Sequence, residues 1–425
     1  MEKNIVAALQ AGYTEPIRDS LWGHIYLTPE LKALTESAPF LRLHRILQLG
    51  PASRVYPGAT HTRASHSIGV YHIARRLLIN LAEKGASSWI SPMGVCSFLC
   101  ACLLHDLGHF PYTHSLKELA LESHEALTAA IIKAEPVRSL VAAAGGDPDF
   151  TAAIVDGALP GKEGELLFYR KILSGVLDPD KLDYLNRDAT YCGVPYGAQD
   201  VDFILDRLEP QKERGVDIDS RGIPSVESIL FSKYLMYRTV YWQRSVRSAT
   251  AMIKKALLGA LKEKLIAAED LYGLDDQGLF TLMEAKFPND SFFSSLAGKV
   301  RSGALYQSVA EIPFDEKLHS SLLNIENRLE NEEILAGKLS HIFGFKVAPS
   351  SVIIDIPEPI SFESGLWVSD ESRLFGESSS TFKPELVEAF VKSLRITRIF
   401  MESEKQVFFN GCFGEKAHLS AAILN

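Results

Sequence analysis

The chain has 425 residues, 46% of them apolar and 23% charged, with a formal charge of −9. That length can bury a large core, and the apolar fraction excludes a disordered chain. The negative balance argues against nonspecific binding to nucleic acid or an anionic membrane as the main task.

Five cysteines (Cys96, Cys100, Cys102, Cys192 and Cys412) are odd in number and irregularly spaced. They form neither a disulfide framework nor a zinc ribbon, so a reducing, cytoplasmic setting is expected. The first twenty residues show no signal-peptide succession. Residues 1–30 read as an N-terminal extended segment, with "HIYLT" a short strand ahead of a helix starting near Pro29. From 31 to about 270 the pattern is helical, broken by Gly- and Pro-rich stretches read as loops, among them "CGVPYGAQ" and "EPQKERGVDIDSRGIP".

Within that region "HTRASHSIGVYHIARRLL" reads as a helix capped by Ser65, its inward stripe running through His66, Val70, Ile73 and Leu77. A lone histidine there is more often core than ligand. The apolar run from Val95 to Leu104 is too short to span a bilayer. It reads as a buried helix from about Pro92, with His105 and Asp106 on its last turn and Gly108 as a left-handed stop. In "LDPDKLDYLNRDATYCG", Asp178 is a natural N-cap and Pro179 a natural first residue. Asp180, Tyr184 and Asp188 then share one helix face, which by itself would suit a solvated acidic stripe.

The Pro-free stretch from 226 to 266 reads as one or two long helices. Residues 225–266 carry eight Lys/Arg against Glu227 and Glu263, or +8 − 2 = +6. Lys233, Tyr237, Tyr241 and Arg244 fall on one face, suited to a polyphosphate beneath a base or simply to solvent. Beyond Phe343, "SSVIIDI" and "ITRIFMES…QVFFNG" read as strands separated by the polar "SDESRLFGESSS". The expected architecture is mainly α: a helical domain over 31–270 and a smaller C-terminal α+β region over 271–425.

Seven of the twelve histidines lie between residues 61 and 124. Mixed imidazole and carboxylate ligands suit Mn, Fe, Co, Ni or Zn and not calcium. Two of each leave coordination positions open, so a water of lowered pKa can meet a polarised phosphoryl oxygen. His109, His114 and His124 are placed in sequence to supply protons and phosphate contacts.

"HTRASHSIGV", "LLHDLGHFPYTH" and "DPDKLDYLNRD", flanked by "FLRLHRILQLG" and "YPGATHTR", together resemble the HD-domain phosphohydrolases. More narrowly they are similar to the deoxynucleoside triphosphate triphosphohydrolase branch. The likeness covers residues 15 to 265 well and the C-terminal third loosely. It implies an HD-domain helical bundle with metal ligands His66, His105, Asp106 and Asp180, and catalytic histidines at His109, His114 and His124. Substrate contacts are implied at Gln48, Leu49, Arg63, Asp178, Lys181, Tyr184, Asp188, Lys233 and Tyr241. It further implies water attack on the α-phosphorus of a dNTP, Mg accompanying the substrate triphosphate, and a homo-oligomer. No membrane partner is expected, and nucleic acid is not favoured.

Three departures stand out. Lys233 replaces an arginine. Lys117, with Glu118 beside it, occupies the place of a carboxylate that partners a catalytic histidine. Glu36, Leu41 and His44 replace the residues of a guanine-nucleotide regulatory site, so activation by GTP is not carried over. The alternatives are an HD phosphohydrolase acting on a ribo- or signalling nucleotide, and a nucleotide- or nucleic-acid-binding regulator with impaired catalysis.

Overall fold

The computed structural model describes residues 2–406 apart from 162, 363 and 364. Cys412 and the "VFFNG" part of the last expected strand lie outside the described residues. The chain is mainly α, with a C-terminal α+β part, as the sequence implies.

Residues 1–30 are not wholly extended: Glu2–Gln10 is a helix, packed on the body of the molecule through Ile5 and Leu9. The antiparallel hairpin β1 (Glu15–Asp19) and β2 (Gly23–Leu27) follows, containing the expected "HIYLT" strand. Three helices then build the frame of the site. The first, α1 (Arg63–Glu83), is capped by Thr62, with Ser65 closing a capping box three residues in, so Ser65 is not the cap itself. The second, α2 (Pro92–Leu104), is capped by Ser91 and almost wholly apolar, as a helix buried on all sides must be. The third frame helix starts at Pro179 with Asp178 as N-cap, its carboxylate accepting from the Lys181 amide at 2.7 Å.

Gly108 does not adopt the left-handed conformation expected of a helix stop. Its reason is space: a Cβ there would lie 2.1 Å from the His124 carbonyl oxygen. Glycine lets α3 (His124–Lys133) press against the turn that carries His105 and Asp106. The Pro179–Cys192 helix is α4; it and α2 both pack on α1, whose Val70, Ile73 and Leu77 are fully buried.

The stretch from Ile223 to Lys262 forms two helices, α5 (Ile223–Met236) and α6 (Arg244–Lys262), joined by a π-helical turn at Tyr237–Tyr241. "EPQKERGVDIDSRGIP", expected as a loop, contains the antiparallel hairpin β3 (Leu208–Gln211) and β4 (Gly215–Ile218). The sheet β5 (Gln307–Pro313), β9 (Ile396–Met401) and β6 (Val352–Asp355) is antiparallel, in that spatial order. Between them α7 (Ile325–Phe343) crosses the surface. The "SDESRLFGESSS" separator is not only a linker: it contains β8 (Arg373–Leu374), which pairs with β7 (Trp367–Val368) just ahead of it, and β7 pairs in parallel with β4. Apolar clusters cross residue 270: Phe362, Val368 and Phe375 join the core of the helical frame, and Ile353 and Phe400 join Phe110 and α6.

Candidate active site

A cavity of about 460 Å³ opens where α1, the end of α2, α4 and the π-turn meet. His66 is the fourth residue of α1 and points inward. His105 follows α2 directly, and Asp106 lies in the turn after it. Asp180 is in the first turn of α4. One ligand atom from each of His66, His105 and Asp106 can be chosen so that all lie within 4.8 Å of one another. The Oδ1 of Asp180 is 3.0 Å from His66 Nε2.

Both imidazoles are committed on the side away from this point. His105 Nδ1 donates to the Cys102 carbonyl at 2.9 Å, and His66 Nδ1 donates to Asp183 Oδ2 at 2.8 Å. Each therefore presents Nε2 to the cluster, and His105 Nε2 is buried with no hydrogen-bond partner among the described residues. An orphaned imidazole nitrogen beside carboxylate oxygens is the donor set of a divalent-ion site, so the residues fit the group. Burial opposes charge on His66, but Asp180 and Asp183 outweigh it and push its pKa up to about 10. A bound cation must therefore displace a proton there. Burial likewise opposes ionisation of Asp106, yet His109, His105 and Arg63 hold its carboxyl well below the usual range.

The neighbouring histidines form a second group. His109 stacks on His124 with centroids 3.9 Å apart, and His114 meets both rings edge-on. His109 Nε2 donates to Asp106 Oδ1 at 3.0 Å, which leaves Nδ1 buried and unpartnered among the described residues. Burial and, beside it, Arg63 push the His109 pKa well down. Desolvation within the cluster, then His124, Arg63 and Lys117, push the surface-reaching His114 well down, and burial with Arg63 and Lys117 lowers His124. All three are neutral imidazoles at neutral pH.

The segment "FLRLHRILQLG" supplies the floor. Buried Arg42 donates to the carbonyls of Leu107 and His109, fixing the turn that holds Asp106. Gln48, Leu49 and Tyr184 line the cavity, and Gln48 Oε1 is buried with no partner among the described residues. Asp188 accepts from His61 Nε2 at 2.8 Å and from the Tyr241 hydroxyl at 2.6 Å, so it orients the tyrosine across the pocket. Arg63 donates to Asp106 Oδ2 at 2.9 Å and keeps a buried Nε unpartnered among the described residues.

Three expected substrate residues lie off the cavity wall. Lys181 bonds Asp178 and the Gly175 carbonyl, each at 2.7 Å; burial pushes the Asp178 pKa up to about 6. Lys233 is buried, its Nζ 2.7 Å from the Ser361 carbonyl oxygen. The basic helix is not a free polyphosphate face either. Arg244 pairs with Glu311, Arg247 with Asp355 and Glu358, Lys254 with Glu118, and Lys255 with Glu332. Glu118 is taken by Lys254 and Arg328, so it does not replace the displaced carboxylate. Besides Asp106 on His109, the trio meets Glu125, 3.2 Å from His124 Nδ1.

Sequence reasoning missed Asp183, which sits one turn beyond Asp180 and holds His66. It also missed the far wall, where Asp276 and Glu358–Pro359–Ile360 arrive from the C-terminal region. Asp183 was visible as the second acid of "DKLD"; the far wall had no local signal.

A helical frame that converges two histidines and two aspartates in one cavity, with neutral imidazoles alongside, has the donor set of a His-Asp hydrolase. Family models agree: the HD domain matches residues 63–183 and the HD associated region residues 200–401. The uncharacterized Bacillus subtilis protein YwfO is 32% identical over 300 residues, 65% of this chain and 67% of that protein. A deoxynucleoside triphosphate triphosphohydrolase SAMHD1 homolog of Dictyostelium discoideum is 23% identical over 78% of this chain and 68% of its own length. The chain spans about half the length of the archaeal and mycoplasma relatives it also matches. Among solved structures, a hypothetical protein from Aquifex aeolicus superposes with a TM-score of 0.72 at 25% identity, covering 93% of this chain and 98% of that one. The chain belongs to the HD-domain phosphohydrolase family and carries both the HD domain and its associated region.

Proposed function

We propose that the protein is a metal-dependent dNTP triphosphohydrolase that cleaves at the α-phosphorus, releasing a deoxynucleoside and intact triphosphate. The observation that carries this reading is the juxtaposition, in one cavity, of the His66, His105, Asp106 and Asp180 centre with a neutral histidine trio and an orphaned Gln48 oxygen. Those four residues would hold a divalent transition metal, Mn, Fe, Ni, Co or Zn. When bound, it supplies Lewis acidity at the phosphoryl oxygen and lowers the pKa of water.

The remaining steps belong to the chain. Arg63, tied to Asp106, has its free Nε available to a phosphoryl oxygen. The Nδ1 lone pair of His109 is available to accept a proton in the cavity, and the ring contacts with His114 and His124 keep the group compact for returning a proton to the leaving 5′ oxygen. Gln48 Oε1 accepts from a sugar hydroxyl, while Leu49 and Tyr184 close around the sugar. Tyr241, oriented by Asp188, flanks the base side. Asp178, Lys181 and Lys233 act at most through the framework.

The test is product analysis on metal-reconstituted protein given each of the four dNTPs and GTP, with Asp106→Ala as control. Deoxynucleoside and intact triphosphate, lost in the variant, are expected. Stepwise phosphate release, or turnover of GTP alone, would instead identify an HD phosphohydrolase for another nucleotide. Nucleotide binding without turnover under any metal would identify a regulator. Sedimentation tests the homo-oligomer that the resemblance implies.

A further inference from the structure

We infer that Asp183, Arg187 and Asp19 form a positioning chain that fixes the ring of His66 and couples the metal centre to the N-terminal hairpin. The inference rests on the reading of His66 as a ligand.

The chain of contacts is continuous. His66 Nδ1 donates to Asp183 Oδ2 at 2.8 Å. Arg187, one turn further along α4, grips the same carboxylate with Nε and one terminal nitrogen at 2.8 and 2.9 Å. Its other terminal nitrogen donates to Asp19 Oδ2 at 2.9 Å. Asp19 Oδ1 accepts the amides of Leu21 and Trp22, both at 2.9 Å, and so shapes the turn between β1 and β2. The hairpin returns a second contact: Trp22 Nε1 donates to Asp183 Oδ1 at 2.6 Å. Both oxygens of Asp183 are thus saturated from three elements.

Stability alone does not call for this arrangement. Asp183 and Arg187 are both 0% exposed. Apolar residues of equal volume would fill the space without the cost of desolvating two carboxylates and a guanidinium. What the charged chain adds is direction. It commits Nδ1 of His66 to donation, holds the ring plane, and aims Nε2 at Asp180 and the cluster, so that this is the nitrogen a cation would take. Arg187 neutralises one of the two carboxylates, so one negative charge remains to raise the basicity of the imidazole towards a cation. Gly69, one turn after His66 on α1, makes room for it: a Cβ there would lie 1.9 Å from Asp183 Oδ1 and 2.4 Å from Arg187.

The experiment measures the dissociation constant for Mn or Co by chelator competition, and thermal midpoints with and without metal. It uses full-length wild type, Asp183→Asn, Asp19→Asn and Gly69→Ala. Metal affinity is expected to fall about 10- to 100-fold in Asp183→Asn and several-fold, in the same direction, in Asp19→Asn and Gly69→Ala. The Co absorption spectrum should shift in all three. A role in folding alone would lower apo and metal-loaded midpoints equally and leave the dissociation constant and spectrum unchanged; that result overturns the inference. If Asp183→Asn does not fold, the two remaining variants decide. His66→Ala separates the layers. Loss of metal in His66→Ala with wild-type affinity in the others defeats only the positioning chain, whereas wild-type affinity in His66→Ala defeats the ligand assignment beneath it.

Discussion

Lys117 bears on how His114 and His124 behave, alongside burial and Arg63. It is exposed on the cavity wall and forms no ion pair among the described residues, while the neighbouring cations Arg63 and Arg247 are tied to carboxylates. A fixed positive charge makes a second one beside it costly, so Lys117 holds His114 and His124 further down than burial alone would. Lys117→Glu reverses that effect and raises both pKa values. Because the proposed reaction needs a neutral imidazole to accept a proton, the acid limb of the kcat/KM profile should move to higher pH. The same substitution removes a cation that a triphosphate would meet, so KM for the substrate should rise. A profile that does not move would separate the trio from proton transfer. The departure at Lys117 is legible in the sequence alone, since the family pattern names the position. That Glu118 cannot stand in is not legible there, because its partners Lys254 and Arg328 lie 136 and 210 residues away.

At the scale of elements, α6 shows why a charge pattern underdetermines function. Its excess of lysine and arginine was plain in the sequence, and a nucleotide or solvent would have satisfied it equally. The structure spends those charges inside the molecule. Arg247 grips Asp355 of β6 with two bonds at 2.9 and 2.7 Å, both side chains buried. Burial opposes ionisation of Asp355, but the guanidinium outweighs it and holds the carboxyl below its ordinary range. Arg247→Met strands a buried carboxylate and should cost about 3 kcal/mol, read as a lower unfolding midpoint. In the variant the Asp355 pKa rises above its unfolded value. The wild-type contribution is present above about pH 4 and fades as pH falls, so the gap between the two proteins should narrow on acidification. Adding Asp355→Leu should restore part of the loss at neutral pH. The hairpin β3–β4 was hidden for a related reason. Its polar, Pro-containing sequence has the texture of a loop, and β4 is completed by pairing with Val368 across 150 residues of chain.

For the molecule as a whole, the convergence of His66, His105, Asp106 and Asp180 beside the histidine trio was legible because its spacing is local: each of those four residues sits at a capped helix start or just past a helix end that short-range rules identify. The completed cavity was not legible, because its far wall comes from Asp276 and Glu358–Ile360, and long-range contacts leave no periodic trace. This bears on how the protein unfolds. Sequence texture puts a boundary near residue 270, yet β4 needs β7, α6 needs Asp355 and Glu332, and the helical core closes over Phe362, Val368 and Phe375. Two regions that share their cores cannot lose one without exposing apolar surface and buried charge on the other. Calorimetry of the full chain should therefore give one cooperative transition, with calorimetric and van't Hoff enthalpies equal. Cutting the chain after residue 270 should remove that transition and not leave a smaller one, since Arg247 would lose Asp355 and Glu358 and Lys255 would lose Glu332. Two resolved transitions, or a residue 1–270 fragment melting cooperatively with its metal bound, would show that the HD frame stands alone and that the C-terminal region only roofs it.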